Sequence, residues 1–116
     1  SMKMHWEEHR SGTVLMITGE LLADDTDVLR RRCDERIQTG SRIVLDMREL
    51  SRIDSAGLEA ILWLHESLQR AGGHLRVVRG DGQPWAAMSV TQIDRKLTVH
   101  STLESAARSF TKGQAA

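Results

Sequence analysis

The chain of 116 residues carries 16 lysines and arginines against 16 aspartates and glutamates, a formal net charge of zero. Its length supports one core and one domain, and its charge balance excludes the broad basic footprint of a protein that binds nucleic acid or an anionic membrane. With three tryptophans, one phenylalanine and no tyrosine, stacking platforms for single-stranded nucleic acid are excluded as well.

Residues 4–9 and 13–18 read as two strands joined by a tight turn over Arg10, Ser11 and Gly12, an antiparallel hairpin. Val14-Leu15-Met16-Ile17 is almost continuously apolar, as in a strand covered on both faces. Asp24 or Asp25 is expected to cap a helix over about 26–38, closed by Gly40, with Val28, Leu29, Cys33 and Ile37 on its apolar side. Cys33 is thus core filler; as the single cysteine it excludes an internal disulfide and fits a reducing compartment. Arg30-Arg31-Arg32, followed by Asp34 and Glu35, reads as a solvated, ion-paired face.

A third strand spans 42–47, and a polar loop leads from it into Asp54-Ser55-Ala56-Gly57. A long amphipathic helix then runs to about Arg70 and stops at Gly72-Gly73, with Leu58, Ile61, Leu62, Leu64, His65 and Leu68 on one broad arc. A strand over 74–79 and a loop at Gly80-Asp81-Gly82 follow. A short helix from Pro84 to Val90, a strand over 97–100 and a terminal helix capped by Ser101 or Thr102 complete the order. The prediction is an α/β domain over residues 4–110, ββαβαβαβα, with a mostly parallel sheet and an antiparallel pair at its start. Ser1 before Met2 reads as a cloning scar, 1–3 as a disordered start and 111–116 as a C-terminal tail.

Most site chemistries find no support. His5, His9, His65, His74 and His100 form no tight ligand spacing with cysteine or carboxylates, so no metal is expected. Neither Gly-x-x-x-x-Gly-Lys nor Gly-x-Gly-x-x-Gly occurs, so no nucleotide cofactor is expected. Gly-x-Ser-x-Gly is absent too, and neighbouring Asp54 and Ser55 supply no relay without a base, so the chain is not read as an enzyme. No run approaches the roughly 20 apolar residues that span a bilayer, and no secretory signal is recognised. A cytoplasmic protein without membrane insertion is the expectation.

Ser55 remains. The turn before the long helix sets its hydroxyl at a helix N-terminus, beside a carboxylate, where unpaired backbone N–H groups and the helix dipole favour negative charge. Two roles are open on these grounds. Ser55 is either an N-cap or the carrier of a phosphate that the helix terminus tolerates.

The element order and its motifs resemble the STAS family, whose founding members are bacterial anti-sigma-factor antagonists. The resemblance runs from about Met4 to Phe110. It rests on Thr18-Gly19-Glu20-Leu21, Ile43-Val44-Leu45-Asp46, Ile53-Asp54-Ser55-Ala56-Gly57-Leu58, Ala71-Gly72-Gly73 and the ending over 97–106. It implies a non-enzymatic switch in which Ser55 is the phosphoacceptor and Asp54, Ala56, Gly57 and Leu58 complete the motif and partner contact. The unmodified protein would bind a histidine-kinase-like serine kinase that doubles as an anti-sigma factor, freeing the sigma factor. Phosphorylation would break that complex, and a phosphatase would restore it.

Two positions depart from the usual pattern. Leu22 stands where many antagonists carry an aspartate close to the acceptor, which leaves Asp24 or Asp25 to swing in. Ala56 stands where Ser or Thr is frequent. Similar modules also serve as small subunits on the ATPase of phospholipid-trafficking ABC transporters, the alternative partner that the resemblance implies. Independently of family, Trp63 lies about 140° around its helix from Leu58, away from the apolar arc. It is expected to be exposed near Ser55 as a partner hot spot. Trp85 and Met88 either extend that patch or belong to the core.

Overall fold

In the computed structural model, which describes residues 1–115 and the side chains of 1–111, β1 (Met2–His9) and β2 (Gly12–Leu21) form the expected antiparallel hairpin. β1 starts inside the stretch expected to be disordered. Met2 and Lys3 pair with Gly19 and Thr18, and the Ser1 carbonyl accepts from the Glu20 N–H at 2.9 Å. A 3-10 turn over Ala23–Asp25 leads into α1 (Thr26–Arg36). β3 (Arg42–Asp46) runs parallel to β2. Its Ile43 and Leu45 face one hydrophobic cluster and Val44 the other, which explains an unbroken apolar run.

The polar stretch after β3 is a loop only as far as Glu49. β4 (Leu50–Ile53) pairs in parallel with the end of β2. Gly19 faces Leu50 and Glu20 faces Arg52, so Ser51 is the extra residue of a bulge, and its hydroxyl donates to the Gly19 carbonyl at 2.9 Å. The bulge turns Leu50 and Ile53 inward and leaves Ser51 and Arg52 outside. The alternation by which a strand is recognised is thereby erased.

α2 (Ser55–Arg70), β5 (His74–Val78) and α3 (Gln83–Val90) follow, then an unanticipated 3-10 turn over Ile93–Lys96. β6 (Val99–His100) and α4 (Leu103–Ala115) close the chain. α4 continues past Phe110, where a tail was expected; Ala116, the end of that tail, lies outside the described residues. The sheet order is β1-β2-β3-β5-β6, with β4 pairing β2 off this path. The α/β class, the antiparallel start and the parallel remainder are as predicted.

The main core lies between the sheet and α1 and α2, where Leu15, Ile17, Leu45, Leu29, Ile61, Leu64 and Leu68 are fully buried. Each such side chain contributes roughly 1.5–3 kcal/mol. Cys33 belongs to this core, and burial pushes its thiol up to about 12, out of reactive range. α4 covers the opposite face through Ala106 and Phe110 on Val44 and Val78.

The arginine run departs from expectation. Arg31 and Arg32 are exposed, but among the described residues none of the three pairs with Asp34 or Glu35. Arg30 lies over the Trp63 ring, 5.9 Å from its centroid. Arg36 takes the Trp6 ring at 4.3 Å and reaches Glu8 at 3.5 Å. Desolvated aromatic faces hold a guanidinium more firmly than an exposed carboxylate one turn away.

Asp46 ends β3 as a buried carboxylate, 3% exposed. Arg48 grips it with Nε at 2.9 Å and Nη2 at 2.8 Å, while the Arg48 backbone N–H adds a bond at 3.1 Å. Burial pushes the Asp46 carboxyl up, but these bonds and the Arg48 charge outweigh it and hold the group below the ordinary aspartate value. A depressed native value means that this stabilisation is complete above the unfolded-state value and is lost as the pH falls through the native one. Denaturant titrations of wild type should therefore lose stability below about pH 4. Asp46→Asn should be weaker at neutral pH and flatter through that acid limb; parallel curves for the two would refute the assignment.

Candidate functional site

The site is assembled where β2, β4, the 3-10 turn and α2 meet. Asp54 is the N-cap of α2, and its Oδ1 accepts from the Gly57 N–H at 2.9 Å. Its Oδ2 accepts from the Ala23 N–H at 2.9 Å, tying the turn after β2 to the start of the helix. The Gly57 bond is the largest influence holding the Asp54 carboxyl below the usual range, and the Ala23 bond adds to it. The Asp54 N–H donates to the Leu21 carbonyl at 3.4 Å, and the Leu58 N–H to the Asp54 carbonyl at 3.0 Å.

Ser55 is therefore not the cap. It is the first helical residue, exposed, and its hydroxyl takes part in no hydrogen bond among the described residues. Gly57 lets α2 start hard against the end of β2: a Cβ there would lie 2.3 Å from the Leu21 carbonyl oxygen and 2.7 Å from Ile53 Cγ1. Leu58 is buried beneath it and Ala56 half-buried beside it. Gln83, which the sequence reading missed, clamps the strand that leads into the motif. Its Oε1 accepts from the Ile53 N–H at 2.8 Å and its Nε2 donates to the Ile53 carbonyl at 3.1 Å. A glutamine in the first turn of α3 acts here as a substitute strand, which no local signal announces.

Of the two aspartates after Leu22, one meets the capping expectation, and in position only. Asp25 sits at the α1 N-cap without a side-chain capping bond; its Oδ2 instead accepts from the Leu22 N–H at 3.1 Å. Thr26 Oγ1 donates to the Ala23 carbonyl at 3.0 Å, so the 3-10 turn carries its own closure. Asp24 is exposed on the same turn. Asp54 fastens the turn that carries Asp24 and Asp25 to the start of α2 through the Ala23 N–H.

Removal of the clamp has a measurable consequence. Asp54→Ala leaves the Gly57 and Ala23 amides without their acceptor and should cost about 2 kcal/mol in urea unfolding. Hydrogen exchange at those two amides should rise together. Protection that persists at Ala23 would show that the turn is held by something else.

The STAS domain family model matches residues 3–106. The chain belongs to the STAS domain family. An anti-sigma F factor antagonist of Paenibacillus polymyxa is 32% identical to this STAS domain over 79 residues, covering 66% of this chain and 68% of that one. The crystal structure of an anti-sigma factor antagonist from Mycobacterium paratuberculosis superposes with a TM-score of 0.86 at 20% identity, covering 96% of this chain and 95% of that one. The anti-sigma factor antagonist SpoIIAA in its unphosphorylated form superposes with a TM-score of 0.69 at 18% identity, over 96% and 99% of the two chains.

The surface of this STAS domain corrects one expectation. Trp63 is half-buried, packed against the main core and covered from α1 by Arg30. Its position off the apolar arc of α2 faces the neighbouring helix, which covers part of it. Trp85 is likewise half-buried, with Arg79 4.7 Å from its ring centroid, and Met88 is fully buried core. Among the described residues the exposed large apolar side chain is Val90, 84% exposed at the end of α3. Among the described residues no helix is long and apolar enough to cross a membrane, and no three His, Cys, Asp or Glu side chains gather as a metal site would require.

Proposed function

We propose that this STAS domain is an anti-sigma-factor antagonist, a non-enzymatic switch that binds an anti-sigma serine kinase of the histidine-kinase-like class and is released by phosphorylation at Ser55. One observation carries the reading: Asp54 performs the capping, which leaves the Ser55 hydroxyl exposed at a helix N-terminus and, among the described residues, without a hydrogen bond. The name of the Paenibacillus relative supports it. The helix terminus favours the roughly −1.5 to −2 charges of a phosphate. The first turn of α2, Ser55 to Leu58, has no cationic side chain to neutralise that charge, so it would meet the partner's surface in full. Asp54 and the 3-10 turn bearing Asp24 and Asp25 frame the contact, and a phosphatase resets it.

The test is direct. The protein is incubated with the anti-sigma serine kinase of its own organism and ATP, then analysed by phosphopeptide mass spectrometry and by binding before and after modification. Phosphate at Ser55 with loss of the complex is the expected result. An unmodified Ser55, together with capture of an ABC-transporter ATPase, would overturn the reading.

A further inference from the structure

β1 ends the sheet on one side, and we propose that two copies of this chain associate there, β1 against β1, as an antiparallel pair centred on His5. The backbone dictates which residues are free to bond. The Ser1 carbonyl takes the Glu20 N–H, and the register of β1 on β2 pairs Met2 with Gly19 through His9 with Gly12. In an antiparallel ladder bonded and non-bonded pairs alternate. Lys3, His5, Glu7 and His9 therefore spend their backbone bonds on β2, and Met2, Met4, Trp6 and Glu8 turn theirs outward. A long edge of this kind is a template for another strand.

A two-fold axis at His5 uses that edge fully. Met4 of one copy faces Trp6 of the second and Met2 faces Glu8, both as hydrogen-bonded pairs. Lys3 faces Glu7 across the axis, and symmetry repeats the contact. Shifting the axis to Met4 sets Lys3 against His5, and shifting it to Trp6 sets His5 against Glu7. Only the His5 axis matches opposite charges on both sides. Lys3 is exposed and has no carboxylate partner among the described residues, while the exposed Glu7 side chain pairs with His9 at 2.6 Å. Met2, Met4 and Trp6 are half-buried at the rim of the main core and gain cover from a second copy. The flank of α1 beside Trp6 carries Arg31 and Arg32 with Glu35, so both signs of charge meet there too. The pairing uses neither β4 nor α2, and so leaves Ser55 free.

Sedimentation velocity over a wide concentration range tests the proposal. Wild type should dimerise with rising concentration. Lys3→Glu should raise the dimer dissociation constant roughly tenfold or more by opposing carboxylates at both contacts. The exchange Lys3→Glu with Glu7→Lys should restore wild-type association. Met4→Pro removes an outward N–H that β2 does not use and should abolish the dimer with the fold retained by circular dichroism. A monomer at every concentration, or a dimer indifferent to Lys3→Glu, would overturn the proposal. Ser55 phosphorylation is read in a separate assay, so its failure is distinguishable from this one.

Discussion

Gly57→Ala should lower the melting temperature by roughly 10 °C or more. The sign is what makes the experiment informative, because alanine in place of glycine inside an ordinary helix stabilises by about 1 kcal/mol. Here the added methyl would lie 2.3 Å from the Leu21 carbonyl oxygen, which is backbone and cannot rotate aside as a side chain would. Either α2 retreats or the end of β2 shifts, and both movements pull at the same joint. The Leu21 carbonyl accepts from the Asp54 N–H, and Asp54 in turn holds Gly57 and Ala23. Scanning calorimetry decides the matter. An unchanged or higher melting temperature would show that the joint yields easily and does not fix the geometry of the turn around Ser55.

Ser55→Asp should weaken binding of the anti-sigma kinase roughly 100-fold, whereas Ser55→Ala should leave it within about threefold of wild type. The contrast follows from the division of labour in the turn. Ser55 contributes no hydrogen bond to the fold among the described residues, so its truncation should leave the melting curve almost unmoved. A new carboxylate would stand next to Asp54, whose own carboxyl is held low by the Gly57 and Ala23 amides and so stays ionised. Arg52, the nearest cation before it in sequence, already reaches Glu20 at 3.4 Å. The added charge would therefore be presented outward, against the partner. Isothermal titration of both variants checks this. Equal loss of binding in the two would show that the hydroxyl itself is the contact, as a constitutively docked subunit requires.

The order of the main elements was legible because each carries its own period or its own stop. The almost unbroken apolar run of β2 announced a strand covered on both faces, and Gly72-Gly73 announced the end of α2. Asp54-Ser55-Ala56-Gly57 placed the helix start correctly, with the Ser55 hydroxyl at its N-terminus, since capping chemistry acts over a few neighbouring residues. It left open whether Ser55 is spent on capping the helix.

That choice needed the fold. Asp54 caps because its second oxygen also reaches Ala23, far away in sequence, and a single residue satisfies both amides only when β2 and α2 meet end to end. β4 was hidden because a bulge removed its alternation, and Gln83 because its strand-like bonds to Ile53 join distant segments. Trp63 was misplaced because a helix reports its own faces and not what packs against them; α1 covers the side that the pattern leaves polar. The sequence by itself determined the succession of strands and helices and the residue on which the switch is proposed to turn, because those depend on local periods and local hydrogen bonds. Tertiary structure alone decided that Ser55 is exposed and Trp63 is covered, because burial and long-range bonding exist only once the elements are packed together.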